Sequence, residues 1–166
     1  MDPVTHMLTG ACFSRAGLNR KTGLATLTLT LAFEAPDIDS IAYFWGPIAG
    51  LQHHRGITHS LIGAPFMAAG VVALVYGIHR WRRSRQKASG DASGGTFPKL
   101  TPNWKLLYGY ALLGTLVHLF QDFTNNYGVR PFAPFNEKWY AWDIIFIVDP
   151  IMLLALFLAL VLPALM

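Results

Sequence analysis

"LIGAPFMAAGVVALVYGI", residues 61–78, carries no charge and runs directly into "HRWRRSRQK", residues 79–87. An uncharged run of that length predicts a membrane-spanning helix. A basic cluster at its end marks the cytoplasmic side. The pairing decides the expected fold class, an all-α polytopic membrane helical bundle. Composition agrees, with 53% hydrophobic and 13% charged residues, against about 25% charged in a soluble domain. The 166 residues predict a single membrane-embedded domain, 1–166.

Working outward, apolar stretches at 3–14, 22–35, 59–79, 104–124 and 144–166 predict about five helices. Asp2 before Pro3 is a helix start with cap and first residue in order. "VDP" (148–150) interrupts the last stretch and offers Asp149 as a second such cap. Twelve helical residues rise roughly 18 Å, short of a bilayer core of about 30 Å. The first two helices are therefore expected to tilt or to enter one leaflet. Residues 84–103, rich in Gly, Ser, Lys and Pro, predict a flexible cytoplasmic loop. The opening "MDPVTHMLTG" lacks the basic region of a signal peptide, and the lone Cys12 excludes an internal disulfide.

If each helix reverses direction, Arg15, Arg20, Lys21, Arg80, Arg82, Arg83, Arg85, Lys87, Lys99 and Lys105 share one end. Only Arg55, Arg130 and Lys138 remain at the other, so all 13 basic residues are placed. The positive-inside rule makes the basic end cytoplasmic. Because these charges flank apolar runs, the net +4 reads as orientation, and no nucleic-acid partner is expected. Membrane lipids are.

The same alternation gathers His6, Asp37, Asp39, His53, His54, His59, His118, Asp122, Asp143 and Asp149 at the opposite end. "HLFQD" sets His118 and Asp122 four apart on one helix face. Imidazole and carboxylate suit zinc, manganese or iron, although such a pair alone is also an ordinary helix contact. His54 and His59 require a loop running into a helix start to point at one centre; a polar interfacial turn is the alternative. Arg55 suits phosphate or carboxylate. "PDID" can turn Asp37 and Asp39 inward or form a solvated cap. His6 lies in the first turn of its helix, and Asp149 is either ligand or cap. With no serine-nucleophile or phosphate-loop motif, the combination favours metal-activated water, with a spare carboxylate accepting its proton.

"MDPVTHMLTG", "PDID", "HHRGITHS", "HLFQDFTNNYG" and "WDIIFIVDP", in that order, resemble the YdjM family. Its members are described as LexA-binding, inner-membrane-associated metal-dependent hydrolases. The family is distantly similar to the all-α zinc-dependent phospholipases C. The resemblance implies His6, Asp37, His54, His59, His118, Asp122 and Asp149 as metal ligands, in a protein of the bacterial inner membrane; Asp39, as the spare carboxylate, and Arg55, for the phosphate, are the catalytic residues expected from their own chemistry. It also implies one or two divalent transition ions, zinc foremost. The expected substrate is a phospholipid or another phosphate ester, met near the periplasmic face; the alternative is a non-catalytic, metal-stabilised membrane scaffold or regulator. The chain departs from the phospholipases in having Met1 in place of a ligating Trp and no glutamate near the site comparable to theirs. Nothing in these residues corresponds to the LexA part of the description.

Overall fold

The computed structural model describes residues 1–89 and 100–165. Six α-helices occupy them: α1 Pro3–Arg15, α2 Ala25–Glu34, α3 Pro47–His53, α4 Gly63–Ser89, α5 Trp104–Thr124 and α6 Pro150–Leu165. Two isolated bridges, Asn125 with Ile145 and Val129 with Tyr140, are the β-type pairings found among these residues. Within the expected loop, residues 84–89 continue α4 instead, and 90–99 lie outside the described residues.

The core forms around α2. Ala25, Thr28, Leu29, Ala32 and Phe33 are buried, a three-and-four spacing that gives one apolar stripe. Leu29 and Phe33 meet Leu107 and Tyr110 of α5. Ala32 faces Ala111 of α5 with Ala68, Val71 and Val75 of α4. Each large side chain removed from water contributes about 1.5–3 kcal/mol. A side chain at Gly114 would come within 2.8 Å of the Ala32 methyl, so α5 approaches α2 closely.

Caps place the helix ends. Asp2 accepts from the Thr5 amide at 3.1 Å, and Asn103 accepts from the Leu106 amide at 3.1 Å. Asp149 Oδ1 accepts from the Met152 amide at 2.8 Å, starting α6. The expected helix 59–79 is broken instead. His59 closes a 3-10 turn, Ile57–His59, and α4 begins only at Gly63, where a Cβ would lie 1.8 Å from the Ile57 carbonyl oxygen.

That break changes the membrane reading. Among the described residues, no single helix is long and apolar enough to cross a membrane. Pro47–His59 and Gly63–Gln86 meet that test together, bent by 86°. Phe44, Trp45 and Ile48 around α3, and Ile151 and Phe157 on α6, stay exposed.

Candidate metal centre

Four helix ends bring the polar residues together. α1 supplies His6; the 3-10 segment Ala35–Trp45 after α2 supplies Asp37 and Asp39; the turn before α4 supplies His59; the end of α5 supplies His118 and Asp122. His6, His59, His118 and Asp122 are wholly buried.

Partners set the tautomers of two histidines. His118 Nδ1 lies 2.6 Å from the Phe33 carbonyl oxygen, which can only accept, so Nδ1–H donates there. His59 Nδ1 donates to Asp39 Oδ2 at 3.0 Å. Both Nε2 lone pairs are left facing each other at 3.1 Å. Asp122 Oδ2 lies 3.3 Å from His59 Nε2 and 3.4 Å from His118 Nε2. Asp37 Oδ1 lies 3.2 Å and 3.7 Å from the same two atoms. Four electron-pair donors thus converge, and Asp122 Oδ2 is buried with no hydrogen-bond partner.

Such a convergence repels unless a cation neutralises it. Ligands about 2.0–2.2 Å from zinc stand roughly 3.3–3.6 Å apart along the edges of a tetrahedron, close to the spacing here. Asp37, His59, His118 and Asp122 could hold a metal ion. Each histidine's remaining N–H is anchored, as is usual for metal-bound imidazole.

Asp39 is the organiser beside this group. Its carboxylate accepts from His54 Nδ1 at 2.8 Å, the Arg55 amide at 2.8 Å, Thr58 Oγ1 at 2.6 Å and His59 Nδ1. Burial alone would raise its pKa, but the bonds from His54, His59 and Thr58 hold it below the usual carboxylate range. Asp37 has the same balance: burial pushes up, while the His59 bond and charge bring it down. Asp37, Asp39 and His54 form a second group within ligating reach of one ion. With Asp39 committed to four donors, the buried group is the stronger candidate. Replacing Asp39 by Asn puts an amide donor among those four donors. Asp39→Asn should weaken metal binding about 10- to 100-fold, read by chelator competition, whereas Thr58→Val, which removes a single bond, should have a smaller effect.

Arg55 is turned inward at φ +56° and is 2% exposed. Its guanidinium donates to Asp122 Oδ1 at 2.9 Å, to the Gly128 carbonyl at 2.6 Å and to Asn125 Oδ1 at 3.3 Å. It also stacks over Tyr127. Its nitrogens Nη1 and Nη2 thereby hold Asp122 and the turn after α5. His6 stacks on His118, with Nδ1 3.1 Å from Gln121 Oε1 and Nε2 3.0 Å from the Met1 amino group. That amino group also contacts Asp122 Oδ1. His6 packs beside the four-residue group rather than within it, and Asp149 stays at the α6 cap.

Glu34 is the residue that sequence reasoning passed over. It lines one cavity with Asp37, and its Oε1 is buried without a hydrogen-bond partner. Burial first, then the charges of Asp37 and Asp2, push its pKa up to about 7. Glu34 thus lies beside Asp37 without belonging to either group that could hold a metal ion. The available signal was one charge inside an apolar stretch, at the end of "TLTLTLAFE".

A family model described as YdjM inner membrane protein matches residues 1–166. A protein of Bacillus subtilis (strain 168), described as "Uncharacterized protein YfhP", is 27% identical over 158 residues. The match covers 90% of this chain but only 42% of that relative. No solved structure matches.

Proposed function

The chain belongs to the YdjM inner membrane protein family, and from that premise we propose that it is a membrane-bound, metal-dependent hydrolase of phosphate esters. The observation that carries this reading is the convergence of two imidazole lone pairs and two carboxylate oxygens with no donor between them. A divalent ion held there, zinc by its donor set, would polarise a phosphoryl oxygen and lower the pKa of a water. The chain's own residues do the rest. Phe33 and Asp39 fix the two imidazoles, and Arg55 fixes Asp122. Asp37, the most exposed of the four ligands at 15%, opens the site toward the cavity. There Glu34 is the carboxylate free to accept a proton; Asp39, held ionised by four donors, is a weak base.

Purified full-length protein should contain a transition metal and hydrolyse methyl nitrophenyl phosphate, and a His118→Ala, Asp122→Ala double variant should lose both. Retention of metal by that variant would sink the site as drawn.

A second reading has a specific observation behind it. Four protein ligands form a closed set, as in structural zinc sites, whereas catalytic sites keep an open position. A metal-stabilised scaffold without turnover would therefore use the same residues. The readings separate at Glu34: only an enzyme loses turnover there while keeping its metal.

The site belongs at the periplasmic face in this reading, opposite the basic end. In a Cys12→Ser background, Thr101→Cys should resist an impermeant thiol reagent in intact cells and Asn136→Cys should be labelled. The reverse pattern would move the site to the cytoplasm.

A further inference from the structure

One cavity of about 550 Å³ is lined both by Asp37 and Glu34 and by an apolar groove. Its walls are Leu31 of α2 with Phe66, Met67, Gly70, Val71 and Leu74 of α4. Residues 66–74 advance about 12 Å along the helix axis. The volume falls within the roughly 300–1,000 Å³ typical of small-molecule sites.

Gly70 is the unexplained residue in this wall. Glycine inside a helix disfavours it relative to alanine, and a Cβ at Gly70 would meet nothing within 4 Å. Packing within the chain does not require glycine there. The missing side chain deepens the groove, and an occupant lying along α4 accounts for it.

We propose that this groove binds one aliphatic chain of a membrane lipid whose phosphate-bearing head lies at Asp37. The proposal rests on the phosphate-ester reading above and deepens it by assigning the groove that would seat the substrate's aliphatic chain. The polarity sequence supports it: at one end stands Asp37, which with His59, His118 and Asp122 could hold the cation that a phosphate needs beside a carboxylate, and an apolar wall lies beyond. A peptide occupant would need partners for its backbone along that wall, whereas an alkyl chain needs none. The lining is also exposed at Phe66 and Leu74, so a chain can enter sideways from the bilayer.

The test reads binding, so its failure is distinguishable from failure of the hydrolase reading. Full-length, zinc-loaded protein, freed of lipid and held in an amphipathic polymer, is titrated calorimetrically with butyl, hexyl, octyl and decyl phosphate. Affinity should rise about fourfold per methylene added. Gly70→Trp, whose side chain projects into the open space of the groove, should flatten that rise, with the smallest loss for butyl phosphate, whose chain reaches least far. An equal chain-length dependence in both proteins would overturn the slot. So would a change of oligomeric state in Gly70→Trp with unaltered decyl phosphate binding, which would assign the groove to a second copy. Absence of turnover with the nitrophenyl ester, beside chain-dependent binding lost in Gly70→Trp, would remove the hydrolase and leave the lipid slot standing.

Discussion

Asp122→Ala should yield a protein without bound metal and destabilised by about 3–5 kcal/mol, the usual consequence of removing one partner from a buried ion pair. Asp122 lies at the centre of two systems. Oδ2 faces the His59 and His118 lone pairs. Oδ1 accepts from Arg55 and from Asn125 Nδ2 and contacts the Met1 amino group. Truncation removes a metal ligand and leaves Arg55, 2% exposed, without its anionic partner. A loss of that size is a large share of the about 5–15 kcal/mol by which proteins are stable. Asp122→Asn separates the two effects, because an amide oxygen can still accept from Arg55 while ligating far more weakly. It should lose metal with a smaller drop in unfolding temperature. Thermal unfolding and metal analysis on the same samples decide it; full metal occupancy in Asp122→Ala would exclude Asp122 as a ligand.

How far these arrangements can be read beforehand depends on the range of the interaction. The His118–Asp122 pair was legible because both residues share one regular helix, and helical geometry places i and i+4 together. The His54–His59 spacing correctly demanded a turn before a helix. α4 starts as late as Gly63, whose amide donates to Ser60 Oγ at 2.9 Å, a cap only three residues away that sequence reasoning passed over. The run 61–78 was legible as a helix, and 63–78 lie in α4; the 86° bend falls before Gly63, and hydropathy does not record where an axis turns. Arg55 was visible as a phosphate-binding type of residue, yet its acceptors, Asn125, Gly128 and Asp122, lie about seventy residues away in the chain. No local pattern encodes that inward turn. The N-cap at Asp2 is the opposite case, since cap and capped amide are three residues apart.

Glu34→Gln should lower kcat for methyl nitrophenyl phosphate by about 10²- to 10⁴-fold, the ordinary range for removing a general base, with metal content unchanged. Glutamine keeps the size of the side chain but cannot take a proton. The pH behaviour should separate this role from mere packing. Glu34 must be ionised to act, so activity should rise with pH through its pKa, which is about 7 in the metal-free protein. A divalent cation favours the ionised form, so the limb should lie lower in the metal-loaded protein. Stability should move the other way. The pKa is raised from 4.5, so the folded state holds its proton more tightly than the unfolded chain. That contribution is complete below pH 4.5 and is lost as pH climbs toward 7. Wild type should therefore lose stability relative to Glu34→Gln across this window while its activity increases. A variant with normal turnover, or an acid limb that persists in Glu34→Gln, would move the proton transfer to another residue. Opposite slopes that both disappear in the variant would tie the strain of burying Glu34 to the chemistry it performs.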